Sequence, residues 1–301
     1  MTRSNEKSKQ EEITLLQQIV DSVDFTPGRR KIIKKYLNNP EPKLRMIAIE
    51  GLWEYPEAEF LPLLFDTAKN DPEERVRCRA IVTLGRYVYE GEMTKYDFGF
   101  EDELTGNDDD LTQKDYQKVN EFLFAIYADK DKSLDERRFA LEALSFCSDQ
   151  KVLEIIQESY TQTEPKMKLS AIFGMGRNGN VCWADTIHKE LYNTNPELQR
   201  EAIRAAGEMG LTEAGKDLWR LTYSEDRKTQ MEAIWSLGQS GWENAFERLD
   251  ELTLNLDPEI QETAEAALEE WNIHSGILSD EIFDENGIDS TNSLENFVDG
   301  W

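Results

Sequence analysis

Between Asp129 and Trp271, apolar residues fall three and four positions apart, the spacing of one helix face, and the pattern recurs at a fixed interval. Ala140, Ala171, Ala202, Ala233 and Ala264 are each 31 residues apart. The last four sit in similar stretches: KMKLSAIFGMG, ELQREAIRAAG, KTQMEAIWSLG and EIQETAEAALE. A period of this length predicts stacked helix pairs, each too small to bury its apolar face alone.

The same motif occurs earlier, around Ala48 in KLRMIAIEGLW and Ala80 in ERVRCRAIVTLG, 32 residues apart. From Ala80 to Ala140 is 60 residues with no alanine motif between. Residues 90–115 break the pattern there, with ten acidic and two basic residues. They predict a long acidic insertion, with Tyr96, Phe98 and Phe100 among the acids, before the helix YQKVNEFLFAIYADK.

At the N-terminus the first ten or so residues are polar and predict a frayed start, after which Ile13, Leu16, Val20 and Val23 take helical spacing. Thr26-Pro27 opens a second helix, which holds Arg29, Arg30, Lys31, Lys34 and Lys35, the one strongly basic cluster. Prolines at Glu164-Pro165, Asn195-Pro196 and Asp257-Pro258 mark later helix starts. Gly174, Gly176, Gly207, Gly210, Gly238 and Gly241 stand late in the alanine helices, where they suit close crossings or left-handed caps. The expected architecture is all-α: capping helices over 1–38, an α-solenoid of about seven antiparallel helix pairs over 39–271, and a flexible acidic tail over 272–301.

The net charge of −27, from 61 acidic and 34 basic residues, argues against nucleic acid as a partner. The insertion and tail hold −8 and −7 of it, so the body is moderately acidic. No run is apolar for long enough to span a membrane, and MTRSNEKSKQEE lacks the apolar core of a secretory signal, so a cytoplasmic location is expected. Cys78, Cys147 and Cys182 are far apart, odd in number and without metal spacing; they read as reduced, half-buried helix residues. There are two histidines, His188 and His274. No phosphate loop, nucleophile elbow or zinc spacing occurs, and Asp108-Asp109-Asp110 lacks the glycine and glutamate of a calcium loop. The expectation is no catalytic residue, no metal and no cofactor.

The unit resembles the HEAT repeat, most closely the short bacterial kind also found in phycobilin lyases. The residues that carry the resemblance begin with Pro42, Leu44-Arg45, Ala48 and Leu52, then Pro72, Val76-Arg77, Ala80 and Leu84-Gly85. Arg137, Ala140 and Leu144 follow, then Lys168, Ala171 and Gly176, then Leu198, Ala202 and Gly207. Ala233 with Leu237-Gly238, and Ile260, Ala264 and Leu268, complete it over residues 39–271. The basic residue at Arg45, Arg77, Arg137 and Lys168 becomes Gln199, Gln230 and Gln261, so any ion-pair ladder is expected to fade toward the C-terminus. The repeated His-Glu pairs that hold iron in HEAT-type hydroxylases are absent.

The resemblance implies that the second helix of each pair lines a concave face. Helical geometry then buries each alanine with the residues four before and four after it, and turns the residues two before and two after off that stripe. The candidate partner-binding residues on this face are Arg138, Glu142, Leu169, Phe173, Arg177, Arg200, Arg204, Met231, Trp235 and Gln239. Leu169/Phe173, Arg200/Arg204 and Met231/Trp235 make an apolar–basic–apolar ladder of the residue types that anchor interfaces. The leading expectation is a non-catalytic scaffold for a protein or peptide. A second is a phycobilin-lyase-like chromophore subunit, with Arg200 and Arg204 on propionates and Phe173 and Trp235 on the rings. A third is an acidic chaperone for a basic protein.

Overall fold

The computed structural model describes residues 2–20, 27–53, 56–97 and 111–274, and among them there is no strand. Val23, Thr26, residues 98–110 of the acidic insertion and residues 275–301 of the tail lie outside the described residues. No helix among those described is long and apolar enough to cross a membrane.

The chain forms two compact units, Met1–Asn180 and Val181–Trp301. Unit 1 holds α1 (Thr2–Val20), α2 (Pro27–Leu37), α3 (Pro42–Glu50), α4 (Leu61–Asn70), α5 (Glu74–Asp97), α6 (Gln113–Ala128), α7 (Leu134–Leu144), α8 (Gln150–Tyr160) and α9 (Pro165–Asn178). Unit 2 holds α10 (Ala184–Glu190), α11 (Pro196–Glu208), α12 (Gly215–Leu221), α13 (Arg227–Gln239), α14 (Ala245–Thr253) and α15 (Pro258–His274).

Each alanine lies on an odd-numbered helix from α3 to α15, and each is fully buried. The residues four before and four after are buried too, except Leu268 in α15. The preceding even-numbered helix packs on each, which makes seven hairpins: four in unit 1 and three in unit 2. Within unit 1 the alanine helices α3, α5, α7 and α9 pack in succession, with α1 against α3. Within unit 2 α11, α13 and α15 do the same, whereas the outer helices α12 and α14 barely meet.

Local chemistry sets the boundaries. Proline occupies the first turn of α3, α9 and α11, where its missing N–H costs nothing. Ser133 and Glu136 form a reciprocal capping box on α7, and Asp226 caps α13 through the Thr229 N–H. Gly179, Gly210 and Gly241 each stand eight residues after their alanine, with φ of 65°, 58° and 64°. This left-handed turn ends three successive alanine helices. Gly179 is an addition to the expected caps.

Three elements differ from expectation. Helix α1 begins at Thr2, so the polar start is helical. Residues 90–97, read as part of the loop, continue α5 because α6 packs against them. The Tyr116 ring lies where a Cβ on Gly91 would stand, and the Tyr116 hydroxyl donates to Glu92. Cys147 lies after α7 and is buried, while Cys182 lies in a 3-10 turn and is exposed; only Cys78 is within an α-helix.

The position three before the alanine has a common task in five of the seven helices. Arg45 donates to the Asn39 and Pro40 carbonyls at 2.8 and 3.2 Å, Arg77 to the Asp71 carbonyl at 2.8 Å, and Arg137 to the Tyr127 carbonyl at 3.0 Å. Gln199 and Gln230 donate to the Leu191 and Thr222 carbonyls at 2.8 and 3.0 Å. The residue satisfies carbonyls left over at the end of the preceding helix, which needs an N–H and not a charge. The charge makes ion pairs early, where Arg45 grips Asp71 with two 2.7 Å bonds and Arg77 pairs with Glu136 at 2.9 Å; in α9 the Lys168 ammonium lies 4.8 Å over the Tyr160 ring. The ion-pair ladder therefore fades as expected while the backbone bond reaches α13; in α15 Gln261 donates instead to Glu265 at 2.9 Å. Gln230→Ala is expected to cost about 1 kcal/mol in chemical denaturation.

Helix α15 departs from the other alanine helices at two positions. The residue after each alanine is a fully buried Ile or Leu in six helices, but in α15 it is the exposed Glu265. Five after the alanine, where α5, α9, α11 and α13 carry buried glycine, α15 carries the exposed Glu269. At these two positions α15 thus carries carboxylates where the preceding alanine helices carry a buried apolar residue and, in four of them, glycine.

Candidate binding face

Three of the residues two after an alanine prove to be polar ties between rungs. Glu50 of α3 pairs with Arg79 of α5 at 3.3 Å, and Glu142 of α7 accepts the Ser170 hydroxyl of α9. Arg204 of α11 reaches Glu232 of α13 with two 3.1 Å bonds. In each case the partner immediately precedes the next alanine, a position the sequence reading passed over. The signal was present: Glu with Arg, Glu with Ser and Arg with Glu are complementary pairs at one fixed offset.

This corrects several expected site residues. In unit 1, Glu142 is buried and serves α7–α9 packing. Arg138 is drawn onto its own helix by Asp135 at 2.7 Å and Glu142 at 3.1 Å, with its guanidinium 3.9 Å over the Phe139 ring. Phe173 is 9% exposed, with the Arg177 guanidinium 5.2 Å over its ring, so it is a packing residue and not an open anchor. Leu169 is half-buried.

In unit 2, Arg200 pairs with Asp226 at 3.3 Å. Arg204 also meets Glu201 at 3.5 Å. Burial works against its charge, but the neighbouring carboxylates of Glu201 and Glu232 outweigh that and raise its pKa further. Both arginines are half-buried, and the expected basic rung is neutralised within the chain. Met231, Trp235 and Gln239 lie one turn apart on α13 and are half-buried. Trp235 holds the inter-rung position yet brings no polar tie, and among the described residues its indole N–H donates to nothing.

The basic helix α2 is also partly consumed. Arg29 is buried and donates to the Val20 carbonyl at 2.9 Å, Arg30 pairs with Glu57 at 2.6 Å and Lys34 with Glu59 at 2.5 Å. Lys31 and Lys35 stay exposed. Burial pushes the Cys78 thiol up to about 12 and raises that of Cys147, so both are protonated at neutral pH and poor nucleophiles. His188 contacts Asp217 at 2.9 Å on the surface, and His274 is the last residue of α15. Among the described residues no group of His, Cys, Asp and Glu is placed to hold a metal ion.

Unit 1 has a cavity of about 490 Å³, unanticipated from the repeat pattern, lined by Lys95, Tyr116, Asn120, Phe124, Cys147 and Lys151 among others. Ser148 donates to Glu92 at 2.7 Å beside it. Burial would raise the Glu92 pKa, but hydrogen bonds from Tyr116 and Ser148 and the Lys95 charge lower it. Glu92 is thus a fixed carboxylate within α5, not a proton carrier.

Helix hairpins at a regular period, with a buried alanine in the inner helix of each, define an α-solenoid. The chain belongs to the HEAT-repeat family, whose model matches residues 30–94 and 184–269. Among solved structures it is similar to the complex of CpcE and CpcF of phycocyanin lyase from Nostoc sp. PCC7120. That likeness has 14% identity, covers 86% of this chain and 96% of that one, and has a TM-score of 0.54. The Kap95:Nup1 complex is similar at 11% identity, over 89% of this chain and 39% of that one, with a TM-score of 0.51. Both likenesses are of fold. No curated protein matches the chain.

Proposed function

We propose that the chain is a non-catalytic HEAT-repeat scaffold that binds a protein or peptide on the alanine-helix face of unit 2. Trp235 is the observation that carries this reading. A half-buried indole with a free N–H, one turn from the flexible Met231 and on the helix packed against that of Arg204, which two carboxylates hold, has the composition of an interface anchor. A pre-paired Arg204 loses little side-chain entropy when a partner packs on it. The two similar structures are both assemblies with another protein, which supports a protein partner. The strongly acidic composition supports a partner other than nucleic acid.

The chromophore reading asks Arg200 and Arg204 to hold propionates, and both guanidiniums are engaged by Asp226 and Glu232. It also asks for an open Phe173, which is buried. The chaperone reading rests on residues 98–110 and 275–301, outside the described residues.

With the full chain as bait in native lysate, Trp235→Ala combined with Met231→Ala is expected to retain about a tenth or less of the wild-type partner, the loss typical of a central anchor. Equal recovery by variant and wild type would move the site elsewhere.

A further inference from the structure

The last hairpin of unit 2 differs in charge from the two before it. Residues 181–210 hold five Asp or Glu against three Lys or Arg, and residues 211–241 hold five against four. Residues 242–274, which contain α14 and α15, hold ten against one, Arg248. That arginine is buried and pairs with Glu251 at 2.7 Å, and Arg227 of α13 takes Asp257 and Glu259 at 2.8 Å each. Glu243, Glu247, Asp250, Glu262 and Glu269 are exposed and in no ion pair among the described residues.

Large apolar side chains stand among these carboxylates. Ala245, Leu249 and Leu252 of α14 turn inward and are buried. Phe246, Glu247, Asp250 and Leu254 fall within about 100° of one another on the opposite side of the helix. Phe246 is 43% exposed, Leu254 82%, and Leu256, in the turn to α15, 99%. Phe246 and Leu254 are about 12 Å apart along the axis, with the two carboxylates between them. Carboxylates alone would keep an outer helix soluble. They do not account for a phenylalanine and two leucines left in water beside them.

Charge selects the occupant. Covering Phe246 and Leu254 also takes water from Glu247 and Asp250, which is unfavourable unless the covering segment brings cations. The adjoining sequence does not supply them, since residues 275–301 hold seven Asp or Glu and no Lys or Arg. We propose that the outer face of α14 docks a basic amphipathic segment of another protein. Its apolar residues pack on Phe246, Leu254 and Leu256, and its Lys or Arg side chains meet Glu247 and Asp250. This surface goes beyond the Trp235 site, which lies on α13.

A fluorescently labelled amphipathic leucine–lysine peptide, titrated into the full chain at physiological ionic strength and followed by anisotropy, tests it beside an oligolysine of the same charge. The leucine–lysine peptide is expected to bind about tenfold more tightly than oligolysine. Glu247→Lys with Asp250→Lys is expected to weaken it about tenfold or more, and Leu254→Ser with Leu256→Ser to bring it down to the oligolysine level. All four side chains are exposed, so these variants keep the fold. Glu73→Lys with Glu74→Lys, the same charge change at an exposed pair in unit 1, is expected to leave the affinity within about twofold, as is Trp235→Ala. Equal binding of the two peptides, or an equal loss from the unit 1 pair, would mean general attraction to an acidic chain and overturn the proposal. Wild-type affinity in either α14 variant would overturn it too, and so would a loss with Trp235→Ala, which would put the peptide on α13.

Discussion

Glu136→Gln is expected to cost about 3 kcal/mol of stability at pH 7 and little of that near pH 2. Glu136 is 2% exposed and receives Arg77 at 2.9 Å, Lys132 at 3.0 Å and the Ser133 N–H at 3.2 Å. Burial alone would raise its pKa, but these donors override it and hold the carboxyl at about 2, against an ordinary value of 4.5. A folded-state pKa below the unfolded one stabilises the protein above the unfolded pKa, and the contribution is lost as pH falls from about 5 toward 2. Glutamine keeps the shape but withdraws the charge, leaving Arg77 without its carboxylate on the α5–α7 seam. Denaturant titrations of wild type and variant from pH 7 to pH 2 provide the check. A difference that stays constant with pH would mean that the carboxylate contributes by packing and not by charge.

Gly238→Val is the second large effect, about 3 kcal/mol or more. A Cβ there would lie 2.2 Å from the Ala267 carbonyl oxygen and 2.9 Å from its Cα, both backbone atoms of α15 that cannot swing aside. The α13–α15 crossing would have to open. Gly179→Ala makes the useful contrast. Its added Cβ meets nothing within 4 Å, and the cost is only the left-handed φ of 65°, about 1 kcal/mol. Thermal unfolding should rank Gly238→Val well below Gly179→Ala; equal effects would mean that the crossing is looser than the glycine implies.

Much of this architecture is legible in the chain because a solenoid writes its packing once per repeat. The seven alanines mark the buried stripe correctly, since a side chain at a helix crossing has room for little more than a methyl group. The fading ion-pair ladder is readable from Arg turning to Gln. The face is less legible. Helical geometry turns Glu142, Phe173 and Arg204 off their own stripe, but whether they meet solvent depends on the next rung, and the next rung covers Glu142 and ties Arg204 to Glu232. That coupling could be read only by comparing each residue two after an alanine with the residue before the following one. The extension of α5 to Asp97 was hidden because its acidic, glycine-containing sequence resembles a loop, and only the Tyr116 ring shows what stabilises it.

Side-chain oxidation footprinting of the full chain, with and without captured partner, bears most directly on the proposed binding face. Met231 and Trp235 are among the most readily oxidised side chain types, and Trp219 and Tyr223 on the outer layer of unit 2 are built-in controls. Binding on the alanine-helix face requires that the partner protect Met231 and Trp235 while Trp219 and Tyr223 react as before. Protection of the outer pair, with Met231 and Trp235 still fully reactive, would contradict it.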